Sequence, residues 1–301
     1  MKYIFLLAFM VSPGYAQDAV FNPDMSLILE AGVNNLGKES PYLVRYKKGD
    51  RQLSFVAAKH GAKAENQATF DLVKSEFDAL VPDIVIIEGV FTVCLACPPN
   101  CAAAFGAGLQ GPFEKSECGD RVSRVDSQAE LSEAYHAANL AYYHQPQIPF
   151  IGGEILNADL KAHILKKFTA AQFAKYYVMR ALGTSVKNGS DCKVDTVKKI
   201  AAQSLQKFNL EFSENQKLTV DALTYFQGAC KNSRMADQLN AKGTFTQKIS
   251  AASAGVRDQH LVQVIANMLK GHKKVLVVYG GGHYDTDYKA LDAMLGTPTF
   301  P

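Results

Sequence analysis

The sequence predicts an α/β protein in which a mainly parallel sheet is covered by helices, with an antiparallel edge hairpin and an inserted helical subdomain. Three observations predict it. Short apolar runs such as Leu53–Ala58, Ile84–Ile87 and Val275–Tyr279 have the length and β-branched content of buried strands. Between them lie stretches whose apolar residues recur three and four apart, the spacing of helices. This alternation occupies both ends of the chain, whereas 157–240 is helical in pattern throughout. Strands separated by helices are joined by crossovers, which makes them parallel neighbours.

Taken in order, Tyr42–Tyr46, the turn Lys47-Lys48-Gly49-Asp50 and Gln52–Ala58 read as the hairpin, and His60 follows its second strand. Phe70, Val73, Phe77 and Leu80 mark a helix over Asn66–Leu80 that Pro82 stops. Asp83–Ile87 is the next buried strand and runs into Glu88-Gly89. Asp126-Ser127 caps a helix continuing through Leu131, Tyr135, Ala138 and Tyr142, and Gln147–Ile151 is a strand leading to Gly152-Gly153-Glu154. Four helical patterns follow, over Ala158–Phe168, Ala170–Leu182, Val194–Phe208 and Asn215–Gln227. Helix Val256–Leu269, strand Val275–Tyr279 and a helix near Tyr288–Leu295 complete the alternation, with Gly280–Gly282 read as a tight turn that clears space for a ligand beside His283.

A chain of 301 residues with 48% hydrophobic and 20% charged content can bury a full core, and 17–301 reads as a single domain. The formal net charge is +3 without a basic block, so nothing points to nucleic acid. Residues 1–16 have the pattern of a secretory signal peptide: Lys2, an apolar run from Tyr3 to Val11, and small residues Gly14 and Ala16 before a cut at Gln17. That run is too short to span a membrane, and no transmembrane segment is expected. The mature protein is therefore expected to be secreted or periplasmic, where disulfides persist. Cys94, Cys97, Cys101 and Cys118 fall in one Pro- and Gly-rich loop, 94–118, while Cys192 and Cys230 stand apart. The favoured pairing is Cys192–Cys230 with two bridges inside the loop; a zinc site from the four loop cysteines is the rival.

His60, Glu88 and His283 each follow a strand at its carboxyl end, and parallel strands bring such ends to one rim, where ligands of open α/β sheets sit. Glu154 has the same placement. Arg257 and Asp258 are expected to open the helix leading into the last strand, where a helix N-terminus adds positive potential. A lone histidine after a strand is more often a cap or surface residue; what distinguishes these is the shared rim, and an acid ending an apolar strand needs a partner. His136, His144, His163 and His272 lie in or beside helices and read as structural or exposed, and His260, one turn from Arg257, is ambiguous. Imidazoles and carboxylates suit a divalent metal such as Mn, Co or Zn, with His60, Glu88, His283 and Glu154 as candidate ligands. Without metal the same groups suit general base and acid work on water, with Arg257 facing the developing oxyanion. Both mechanisms stay open. The chain has no GxSxG, Walker GxxxxGK[ST] or HExxH motif, and the three glycines do not extend to GxGxxG.

AAKH at 57–60, IIEG at 86–89, VRDQHLVQVIANML at 256–269 and VLVVYGGGH at 275–283 together resemble the TraB/GumN–Tiki family, part of a superfamily that includes the erythromycin esterases and the ChaN haem-binding proteins. The resemblance covers the two α/β flanks and leaves roughly 93–250 outside it. It implies that His60 and His283 are the motif histidines, Glu88 the motif acid and Arg257 the motif arginine. It further implies a hydrolase, most concretely a Mn- or Co-dependent peptidase acting on a peptide or small-molecule substrate. The ChaN likeness implies a second class, a periplasmic binding protein for haem or another ligand. A third reading is an interaction protein with a degenerate site that uses loop 94–118 as its contact surface.

Overall fold

The computed structural model describes residues 21–30, 36–91, 95–96, 129–187, 189–208, 220–231, 239 and 242–301. The expected signal segment, the Asp126-Ser127 cap and the cysteines of the 94–118 loop lie outside the described residues. The strands are β1 (Tyr42–Lys48), β2 (Arg51–Ala58), β3 (Ile84–Phe91), β4 (Leu95–Ala96), β5 (Phe150–Glu154) and β6 (Lys274–Gly280), which form one sheet in the order β1-β2-β6-β3-β5-β4. The β2–β6, β6–β3 and β3–β5 pairs are parallel, and the hairpin β1–β2 is antiparallel, as the alternation predicts. The two-residue β4, antiparallel to β5, was not expected from the sequence.

The helices are α1 (Gln67–Leu80), α2 (Glu133–Tyr143), α3 (Asn157–Ile164), α4 (Ala170–Lys187), α5 (Val194–Gln206), α6 (Val220–Lys231), α7 (Phe245–Gly271) and α8 (Gly281–Leu295). Among the described residues no helix is long and apolar enough to cross a membrane. Successive side chains of β6 explain why its run is apolar without alternation. Val275, Val277 and Tyr279 pack with α7 and α8, and Leu276 and Val278 pack on the other face with α1 and α2. Both faces are covered.

The inserted helices have a core of their own, built around Phe173, Tyr177, Leu182, Val197, Leu205 and Phe226. Cys192 and Cys230, just before α5 and near the end of α6, are joined by a disulfide with Cα atoms 5.7 Å apart, the pairing favoured from sequence. This bridge closes a separation of 38 residues, so its loss releases unfolded-chain entropy worth about 2–4 kcal/mol. The double variant Cys192→Ser/Cys230→Ser is expected to melt several degrees lower than the parent in thermal denaturation. An unchanged Tm would mean that the closed loop is already ordered when the chain unfolds.

Three helix boundaries correct the sequence reading, the first being that the helix expected from Asp126-Ser127 through Leu131 begins only at Glu133, after Ser132, with 129–131 in a turn. The helix expected to start at Val256 begins at Phe245, where Thr244 Oγ1 accepts from the Gln247 N–H at 3.2 Å. Its first half packs Ile249 into the insertion core and its second half packs Leu261, Ile265 and Leu269 against the sheet. The apolar stripe changes partners midway, which is why only the second half showed a clean period. Arg257 and Asp258 therefore lie at the junction of two cores, far from the helix N-terminus whose potential was expected to act there. The last helix likewise begins at Gly281, not near Tyr288.

Candidate functional site at the carboxyl rim of the sheet

The register aligns Ala58 of β2 with Gly280 of β6, and Ile87 of β3 with Val278, so the chain leaves all three strands at one rim. Glu88 stands at the centre of what collects there. It lies inside β3 instead of beyond it, at a shift in register with β5 between Ile87 and Phe91, next to Gly89 with φ +78°. Its Oε2 accepts from the Gly280 backbone N–H at 2.7 Å and lies 3.5 Å from His60 Nε2. Its Oε1 lies 3.5 Å from His283 Nε2 and 3.7 Å from Arg257 Nη2. Four of the five sequence-predicted residues thus meet at one carboxylate. The fifth, Glu154, faces Arg257 and accepts from its Nε at 2.9 Å and its Nη2 at 2.5 Å, with the Tyr279 hydroxyl donating at 3.4 Å.

The glycines of the 280–282 run have a different role from the turn expected of them. Gly280 caps α8, so the positive end of a helix meets Glu88, while His283 sits in that helix's first turn. A Cβ at Gly280 would lie 2.5 Å from His60 Nε2, and one at Gly281 would collide with the Ser40 side chain; Gly282 faces open space. Close approach, not unusual backbone angles, is what requires glycine at the first two. Gly153 is similar, since a Cβ there would lie 2.7 Å from Tyr279 Cε2.

Two further acids complete the centre: Glu133, which the sequence does not single out, and Asp258, which it places only beside Arg257. His60 donates from Nδ1 to Glu133 Oε1 at 2.6 Å, and His283 donates from Nδ1 to Asp258 Oδ1 at 2.5 Å. Both acids are buried, and Asp258 also accepts from Thr286 Oγ1 at 2.9 Å. A carboxylate only accepts, so each Nδ1 carries a proton and each Nε2 is left facing Glu88. Glu133 gave no signal, because the sequence places it inside a helix expected to start at Asp126-Ser127, where an acid is an ordinary solvent-facing residue. Asp258 was read as opening a helix that in fact starts earlier.

Burial opposes charge on Glu88, but hydrogen bonding and attraction from His283, with His60 and the Gly280 N–H, hold its pKa at about 2. Burial likewise opposes charge on His283, and the Asp258 and Glu88 hydrogen bonds outweigh it, raising the pKa to about 10. At neutral pH His283 is an imidazolium. His60 is raised above its ordinary value chiefly by Glu133, yet its side chain is 61% exposed against 16% for His283. One imidazole is thus held charged while the other meets solvent. Behind them Asp287 is fully buried, and its pKa is pushed well above the carboxylate range by burial and then by Asp258.

Two imidazole nitrogens and a carboxylate are suitable donors for a divalent metal, but Glu154 is committed to Arg257. Among the described residues no three His, Cys, Asp or Glu side chains are placed to hold one ion. The metal set His60, Glu88, His283 and Glu154 expected from sequence therefore does not fit the geometry as it stands. Beside the centre, a cavity of about 650 Å³ opens between the rim and the inserted helices, with Glu88, Glu154 and Arg257 in one wall.

Fold and site together define an α/β protein with a cluster of paired carboxylates and imidazoles at the carboxyl edge of a mainly parallel sheet. No family model matches the chain, and no curated protein or solved structure matches it significantly.

Proposed function

We propose that the chain is a hydrolase of esters or amides, in a peptide or small molecule, acting by general acid–base chemistry at His60, Glu88 and His283. One observation carries this reading: the ionised Glu88 carboxylate, which lines a cavity, lies 3.5 Å from the Nε2 atoms of two imidazoles just behind that wall, and each imidazole is anchored through Nδ1 by a buried carboxylate. Neutral His60 takes a proton from water on Nε2 as the water oxygen bonds to the substrate carbonyl carbon. Imidazolium His283 and the Arg257 guanidinium stabilise the resulting oxyanion. His283 Nε2–H then protonates the leaving oxygen or nitrogen as the bond to carbon breaks. Glu88, within reach of both imidazoles, carries the proton from His60 back to His283, so water is added overall and the centre is restored.

The order of the four motifs supports a place near the TraB/GumN–Tiki proteins, and the Cys192–Cys230 bridge supports an oxidising, exported location. The test is hydrolysis of a panel of esters and short peptides by protein dialysed against a chelator. Dialysed protein is expected to retain full activity, and His60→Ala to lose roughly 10²–10⁴-fold, the usual contribution of a general base. Activity abolished by the chelator and restored by Mn²⁺, Co²⁺ or Zn²⁺ would reassign the centre to metal-assisted hydrolysis. Absence of turnover together with retention of haem would reassign it to ligand binding.

A further inference from the structure

Glu154, the last residue of β5, grips Arg257 with both oxygens. It accepts from Nε at 2.9 Å and from Nη2 at 2.5 Å, the two-pronged pairing of a planar guanidinium with a carboxylate. That fork uses one of the two Nη2 hydrogens and neither of those on Nη1. Nη2 also lies 3.7 Å from Glu88 Oε1, and Arg257, Glu154 and Glu88 all border the cavity. Glu154 is braced in turn. The hydroxyl of Tyr279, a residue only 2% exposed, donates to its Oε1 at 3.4 Å. Burial, helped by the charges of Glu154 and Glu88, holds that hydroxyl protonated well above its ordinary range, so it remains a donor. Gly153, just before Glu154, lets the ring lie there, since a Cβ would come within 2.7 Å of Tyr279 Cε2.

We infer that Glu154 and Tyr279 are positioning residues that fix the Arg257 guanidinium at the cavity wall; on the hydrolase reading, on which its catalytic part rests, this sets the remaining N–H groups for the oxyanion before substrate arrives. Donors already in place need no reorientation as charge develops, which is the source of their effect. Two carboxylates compete for this one guanidinium, and distance decides between them: Glu154 is within hydrogen-bond reach, whereas Glu88 at 3.7 Å is not. Without the charge on Glu154 the guanidinium is drawn to Glu88 and occupies the carboxylate that His60 and His283 share. The arrangement depends on a fork, which lysine lacks.

Two measurements on the full chain test it, one with turnover and one without. On the ester or peptide hydrolysed best, Glu154→Gln is expected to lower kcat roughly 10–10²-fold with KM nearly unchanged, less than the 10²–10³-fold for deleting an oxyanion donor outright. Arg257→Lys should fall about as far, having the charge without the fork, and Tyr279→Phe only a few-fold, the scale of one hydrogen bond. Arg257→Ala/Glu154→Gln should be no slower than Arg257→Ala, because a residue acting through Arg257 has nothing left to position. Without turnover, hydrogen exchange of the Arg257 Nε–H, followed by NMR and assigned by its absence in Arg257→Lys, should be slow in the parent and about tenfold or more faster in Glu154→Gln. Exchange equally fast in both proteins would overturn the inference, and so would a double variant about tenfold or more slower than Arg257→Ala. Slow, Glu154-dependent exchange in a protein that hydrolyses no ester or amide would retire the hydrolase reading and leave Arg257 held; hydrolysis with exchange indifferent to Glu154 would do the reverse.

Discussion

Glu88→Gln is expected to lower kcat/KM by roughly 10²–10³-fold, the scale for removing one preorganised electrostatic group, and to destabilise the fold by about 1–3 kcal/mol. The substitution keeps shape and removes one acceptor. In the parent, Oε2 takes the Gly280 N–H at 2.7 Å while Oε1 faces His283 Nε2–H at 3.5 Å. A glutamine has a single acceptor oxygen, so either the cap of α8 or the imidazole of His283 faces an NH2 group instead. Whichever donor loses its partner is left buried, and the proton path between the two imidazoles is cut. Parallel measurement of kcat/KM and of chemical denaturation checks both effects. A variant that keeps its activity would remove Glu88 from the mechanism.

The second large effect concerns pH. His283 has a pKa of about 10 in the fold against 6.5 for the free side chain, so its contribution to stability is complete below about pH 6.5 and is lost as pH rises through about 10. Glu88 has the opposite sign. Its pKa of about 2 against 4.5 gives a contribution that is present above about pH 4.5 and lost as pH falls through about 2. The summed contribution of these two groups is thus greatest near pH 4.5–6.5, and unfolding free energy measured against pH is expected to fall by a few kcal/mol from there toward pH 10, a fall to which buried Asp287 adds. Asp258→Asn removes the carboxylate on Nδ1, so the alkaline loss should be smaller and should finish roughly 1–3 pH units lower. A variant whose stability profile overlays the parent's would show that Asp258 does not hold the charge on His283.

The strands and their parallel order were legible because a sheet buried on both faces leaves apolar runs bounded by helical patterns, as β6 shows with every residue from Val275 to Val278 fully buried. The rim followed from that order, and with it His60, Glu88, His283, Arg257 and Glu154. What stayed hidden depended on contacts between elements distant in sequence. Glu133 is an ordinary solvent-facing helix acid until α2 packs beside His60, 73 residues earlier. The division of labour between Glu88 and Glu154 was equally invisible, since both are strand-end acids and only the crossing of α7 between two cores delivers Arg257 to the second. The glycines at 280–282 misled for a simpler reason: glycine required for the close approach of His60 and Ser40 looks the same in sequence as glycine required for a turn.

An acid–base pair formed by His60 and His283 across Glu88 leaves its signature in the pH dependence of kcat/KM. A bell is expected, with an acid limb above pH 6.5 set by His60, whose pKa Glu133 raises, and an alkaline limb near pH 10 set by His283. In Asp258→Asn the alkaline limb alone should move down. A profile whose limbs stay in place in both Asp258→Asn and His60→Ala would show that the two imidazoles are not the groups that titrate in catalysis.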